Sequence, residues 1–236
     1  MPISSTPDHV AVAVPSIVDA GARWRDEFGG AWCSPYHTDG SGFATRQLWF
    51  RGGAKLELLE PASDDGFAAG FVARFGARVH HVTLKVPELL PAVEIVREAG
   101  YDVVDINTDQ DEWHEGFLRP SQVGGVIVQI ARSSLTEEEW AAWLGTEPDP
   151  QPTSGPVLHG PTLFHPDLDA CARVWMVLGG DVERDGEAVR VTWPGSPLDV
   201  RITRRDEVEP PVLRFSHAPP VAPDPRLGPG TTVVQP

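Results

Sequence analysis

The chain has 236 residues, 41% of them hydrophobic and 22% charged, which is enough apolar material for one large core or two modest ones. Its 34 acidic against 19 basic side chains leave a formal net charge of −15, opposing an electrostatic grip on phosphate backbones or anionic lipid, so nucleic acid and membrane are not expected partners. No apolar run reaches bilayer length, and Met1 to Pro15 lack the basic start and apolar centre of a signal peptide. The expected location is therefore cytoplasmic, where Cys33 and Cys171 stay reduced.

Three segments align without a gap: DHVAVAVPSIVDA from Asp8, HHVTLKVPELLPA from His80 and LHGPTLFHPDLDA from Leu158. His9, His81 and His159 fall in one column, 72 and then 78 residues apart, too long for a solenoid repeat and suited to a half-domain. In the first copy a strand from His9 leads through a Pro turn to a helix with Ile17, Ala20, Trp24 and Phe28 on one face, closing on Gly29 and Gly30. Strand-like runs follow at 42–51 and 54–60, with one further strand not apparent.

The second copy repeats the scheme with Leu89, Ala92, Val93 and Val96 as the helix face, Gly100 as the stop, and strands at 102–106, 115–119 and 125–131. Thr136 and Glu139 form a capping-box pattern ahead of Trp140 and Ala141, and EPDPQPTSGP (147–156) reads as a linker because repeated Pro blocks helix and sheet alike. The third copy places Leu168, Cys171, Ala172 and Trp175 on its helix face and strands at 181–184, 188–193 and 198–203. PVLRFS (211–216) reads as the first strand of an unfinished fourth copy, with His217 a weak substitute for a matching histidine. The Pro- and Gly-rich stretch from Ala218 reads as extended or disordered.

The expected fold class is α+β: paired βαβββ modules forming a half-open curved sheet, plus a third incomplete module. Residues 1–132 would be the complete two-module domain, 133–156 a helix and linker, 157–217 the third half-module and 218–236 the tail.

Residues of like parity on matched strands face one side of a sheet, so His9 and His81 should face each other across its cavity. KLELLEP and GGVIVQI each carry one polar residue in an apolar strand, Glu57 and Gln129. Burying such a group unpaired costs on the order of 2–7 kcal/mol, a pressure that a divalent metal shared by all four would relieve. A second reading is a polar network around water, and a third is an oxygen-activating Fe(II) site.

The first 132 residues resemble the vicinal oxygen chelate superfamily, which includes glyoxalase I, methylmalonyl-CoA epimerase, extradiol dioxygenases and bleomycin-resistance proteins. The resemblance is to the epimerase and glyoxalase branch, through DHVAVAV (8–14), KLELLEP (55–61), HHVTLKV (80–86) and GFLRPSQVGGVIVQI (116–130). It implies a glyoxalase-like fold and a divalent ion (Zn, Ni, Co, Mn or Fe) held by His9, Glu57, His81 and Gln129, with His80 pointing the other way. Glyoxalase I and the epimerases usually place Glu where this chain has Gln129, whose amide cannot take up a proton at neutral pH. The strand used for acid–base work in epimerases is TRQLWF here, with Arg46 and Gln47 but no carboxylate, so no catalytic acid or base is assigned.

Gln47, Trp49, Trp113, His114 and Arg119 are expected around the substrate, with Trp49 or the neighbouring Phe50 as an aromatic wall. In copy three, His159 and Asp199 align with His9 and Glu57, which makes them half of a second site and suits a vestige. That copy is expected to cover a sheet edge or to pair with a second chain in a homodimer. The leading expectation is a metal-dependent isomerase, epimerase or lyase that stabilises an enolate-like intermediate of a small oxygenated or acyl-thioester substrate. A non-catalytic small-molecule binding or resistance protein is the rival, and an Fe(II) dioxygenase ranks below it.

Overall fold

The computed structural model describes residues 1–38, 40–145 and 147–235. The first copy opens with β1 (Thr6–Ala13) and, after Ser16, α1 (Ile17–Gly21), whose N-terminus is capped by the Ser16 hydroxyl accepting from the Asp19 N–H. The helix continues through a wider turn, Ala22–Glu27, in which the Phe28 N–H reaches back five residues to the Arg23 carbonyl. Ile17, Ala20, Trp24 and Phe28 are buried, as their spacing predicts.

β2 (Ala31–Trp32), β3 (Phe43–Trp49) and β4 (Lys55–Pro61) complete that copy. The strand missing from the sequence reading is β2, two residues long and too short to show a period.

A helix that the periodicity did not suggest, α2 (Phe67–Phe75), follows. Ala68, Phe71 and Val72 pack on Ala13, Leu59 and Phe43, and the helix stops at Gly76, which takes φ +68. The second copy comprises β5 (Arg78–Lys85), α3 (Leu89–Glu98), β6 (Val104–Asn107), β7 (Trp113–Leu118), a short α4 (Pro120–Val123) and β8 (Ile127–Ser133). The buried residues of α3 are Leu89, Ala92, Val93 and Val96, the expected face. After α5 (Glu137–Leu144), the third copy supplies β9 (Val157–His165), α6 (Leu168–Val177), β10 (Asp181–Asp185), β11 (Ala188–Thr192) and β12 (Val200–Arg204). β13 (Glu209–Ser216) and β14 (Thr231–Val233) end the chain's regular structure.

The strands form two sheets, an eight-stranded one in the order β2-β3-β4-β1-β5-β8-β7-β6 and a six-stranded one in the order β10-β11-β12-β9-β13-β14. The second order repeats the first up to its sixth strand. β13 and β14 pair in parallel, as β5 and β8 do, so they are the first and last strands of a partial fourth copy.

The expected extended or disordered tail is thereby corrected. β14 lies in a sheet, residues 224–228 form a tight turn, and the Leu227 carbonyl accepts from the Trp24 indole at 3.1 Å. Composition could not show this, because Trp24, the partner of Leu227, lies some two hundred residues away along the chain.

The chain divides into two compact units that interleave along the sequence. One comprises residues 1–9, 81–136 and 161–211; within it the α4 end carries Gly124, at φ +89, against Cys171 of α6. The other comprises 10–80, 137–160 and 212–236, and its core stacks Trp24, Phe28, Phe50 and Phe215 with ring centroids 5.0–6.0 Å apart. Among the described residues no helix is long and apolar enough to cross a membrane.

Candidate metal centre

His9 on β1 and His81 on β5 are both buried, and their Nε2 atoms face each other at 3.4 Å with the rings nearly edge to face. The side chain of Asp8 accepts from His9 Nδ1 at 2.7 Å and holds an ion pair with Lys85 at 3.1 Å. A proton kept on Nδ1 leaves the Nε2 lone pair for whatever lies between the rings, the usual arrangement behind a metal-bound histidine.

Thr83, two residues after His81 and therefore on the same side of β5, places its hydroxyl oxygen 2.9 Å from His9 Nε2. That hydroxyl donates to Gln129 Oε1 on β8 at 2.5 Å, directly across the β5–β8 ladder, where Thr83 and Gln129 are register partners. Its one hydrogen is thus committed, and it offers His9 Nε2 no proton. Gln129 in turn donates through Nε2 to Glu115 of β7 at 2.7 Å, and the same carboxylate oxygen accepts from the Trp113 indole at 2.9 Å.

Glu57 sits on β4 opposite Gln47 of β3, whose amide donates to its carboxylate at 3.0 Å. Two buried imidazoles with facing Nε2 atoms, beside the Thr83 and Gln129 oxygens, are a donor set whose chemistry suits a divalent transition ion. The residues fit such an ion, with Gln129 Oε1 beside them as a neutral oxygen donor.

His80 takes the opposite face of β5, as expected. Its ring packs on Phe71 and Phe67, and burial pushes its pKa down to about 4, so it stays neutral at physiological pH.

The residues expected around the substrate separate. Gln47 belongs to the Glu57 pair. Trp49 lines a recess of about 480 Å³ with Cys33 and the α5 residues Ala141 and Ala142, whereas Phe50 is core. Trp113 shares the Glu115 face of β7, but His114 lies on the other face with Gly116 and Leu118, and Arg119 is exposed at the start of α4. In the third copy, Asp199 is held by Arg190 at 2.9 and 3.1 Å and His159 contacts the Ser216 hydroxyl at 2.9 Å.

Thr83 and Glu115 were not singled out from the sequence. Parity with His81 points to Thr83, and parity on the strand next to Gln129 points to Glu115, but neither is visible until strand order is known.

Fold and side chains together define a paired βαβββ protein with two buried imidazoles facing each other. The Glyoxalase/Bleomycin resistance protein/Dioxygenase superfamily model matches residues 8–117. The chain is 28% identical over 127 residues to an ethylmalonyl-CoA/methylmalonyl-CoA epimerase of Cereibacter sphaeroides, covering 52% of this chain and 94% of the relative. It is 30% identical over 129 residues to the mitochondrial methylmalonyl-CoA epimerase of Bos taurus, covering 53% and 73%. A Staphylococcus aureus hypothetical protein of known structure shares the fold over 98% of this chain and 100% of its own, with a TM-score of 0.66 at 9% identity. The chain belongs to the glyoxalase/bleomycin resistance/dioxygenase superfamily, on its methylmalonyl-CoA epimerase side.

Proposed function

We propose that this chain is a divalent-metal-dependent isomerase of the epimerase type, acting beside a carbonyl in a small oxygenated or acyl-thioester substrate. The observation that carries the reading is the pair of buried imidazoles with facing Nε2 atoms, one of them set by Asp8. The likeness to epimerases of ethylmalonyl-CoA and methylmalonyl-CoA supports the reaction class. We assign His9, Glu57, His81 and Gln129 as the residues that would hold the ion, Zn, Ni, Co, Mn or Fe. When bound, the ion would polarise a substrate carbonyl and stabilise the enolate-like charge that develops as the adjacent carbon loses its proton. Gln129 cannot accept that proton, so its part is to hold an oxygen in place. Gln47 keeps the Glu57 carboxylate oriented.

The test is deuterium exchange at the carbon between the carbonyls of methylmalonyl-CoA or ethylmalonyl-CoA, followed by NMR in D₂O with metal-loaded protein. Exchange that disappears in His9→Ala and His81→Ala variants is the expected result. Metal-loaded, folded protein that exchanges neither substrate would overturn the acyl-thioester form of the proposal.

A further inference from the structure

Glu115 has no assigned part in the chemistry above, yet it is the carboxylate directly behind Gln129. A glutamine can hold a cation only through its oxygen, and an amide turned by half a rotation would present its NH₂ group instead. A carboxylate only accepts hydrogen bonds, so whatever faces Glu115 Oε2 at 2.7 Å must be the Gln129 nitrogen. That leaves Oε1 on the other side, where it meets the Thr83 hydroxyl that also touches His9 Nε2.

Glu115 is itself held. It lies on β7, two residues from Trp113, and the Trp113 indole donates to the same Oε2 at 2.9 Å. The register across β7 and β8 pairs Phe117 with Gln129, which puts Glu115 on the same face of the sheet. Lys85 stands 5.9 Å from the Trp113 ring centroid and pairs with Asp8, so Lys85 stands between this support and the Asp8 support of His9.

We propose that Glu115 is a positioning residue for the metal centre: with Trp113 it fixes the amide of Gln129 so that its oxygen, not its nitrogen, is turned toward His9 and His81. The inference rests on the metal reading of the preceding subsection. It explains how a glutamine can serve on this strand. The acceptor oxygen of Glu115 acts through the amide, by holding its N–H and so its orientation.

The test uses three full-chain variants titrated with Zn(II) against a chelating dye and, separately, with Co(II) followed by visible absorption. Glu115→Ala should weaken Zn(II) binding about 10- to 100-fold and shift the Co(II) bands, because the amide can turn away. Glu115→Met, which fills the space without an acceptor, should do the same and guards against a folding defect in the alanine variant. Glu115→Gln keeps a carbonyl oxygen to accept from Gln129 and Trp113, and should restore near-wild-type affinity and spectrum. Folded Ala and Met variants with wild-type Zn(II) affinity and unchanged Co(II) bands overturn this inference alone, as does a Gln variant as weak as Ala. Wild-type protein that binds neither ion overturns the metal reading and this inference with it.

Discussion

Asp8 accepts from His9 Nδ1, and on the proposed metal reading its effect should be measurable without any knowledge of substrate. Asp8→Ala is expected to weaken divalent-metal binding by about 10- to 100-fold in chelator competition, because the imidazole loses the partner that fixes its tautomer and orientation. Unchanged affinity would mean that the Asp8–Lys85 pair alone explains the aspartate. A second residue-scale outcome concerns the two thiols. Burial, with the nearby Asp167 carboxylate adding to it, pushes the Cys171 pKa up from 9.0 to about 12, so almost none of it is thiolate at pH 8. A thiol-specific reagent at that pH should modify Cys33, which is half-buried, and reach Cys171 only after denaturation. The same shift means that the neutral thiol's contribution to stability is whole below pH 9 and is lost as pH rises towards 12. At this scale the sequence shows His9, Glu57, His81 and Gln129 because each interrupts an apolar strand at a repeated place. Glu115 escapes notice because WHEGFL mixes polar and apolar residues, and His114 beside it looks the better chemist until strand parity turns it away.

Among the elements, α6 depends on two local devices. The Asp167 side chain accepts from the Ala170 N–H at 2.9 Å and caps the helix, so Asp167→Ala should lower stability by about 1 kcal/mol in urea unfolding. A midpoint unchanged from wild type would show that the cap contributes nothing. Gly124 ends α4 at φ +89, and a Cβ there would meet Cys171 Sγ at 2.9 Å, which requires glycine on both counts. Helices α3 and α6 are legible from their apolar spacing, and so are the alternating strands. α2 is not, because Gly70 interrupts Phe67–Phe75 and an Asp-Asp-Gly turn precedes it, so tertiary contacts to Leu59 and Ala13 decide its conformation. β2 is legible only as the partner of β3.

For the whole molecule, the aligned histidines mark a repeat that runs further than the sequence suggests, since β13 and β14 supply parts of a fourth copy from a tail that composition marks as unstructured. Removing residues 223–236 should cost about 1–3 kcal/mol of stability, because the Trp24 indole loses its acceptor at Leu227, and the loss of β14 pairing adds to this. An unaltered urea midpoint would contradict that role for the tail. The repeat says where structure recurs, and the side chains say where chemistry does: His159 is tied to Ser216 and Asp199 to Arg190, whereas His9 and His81 present facing nitrogens. The central claim is that this facing pair holds a metal ion. The direct measurement is elemental analysis of protein purified without chelator and reloaded with Zn(II), Co(II), Ni(II), Mn(II) or Fe(II). Near-stoichiometric metal in the wild type, lost from a folded His9→Ala/His81→Ala variant, is the predicted result; folded wild-type protein that retains none of these ions, or a double variant that retains them equally, would contradict it.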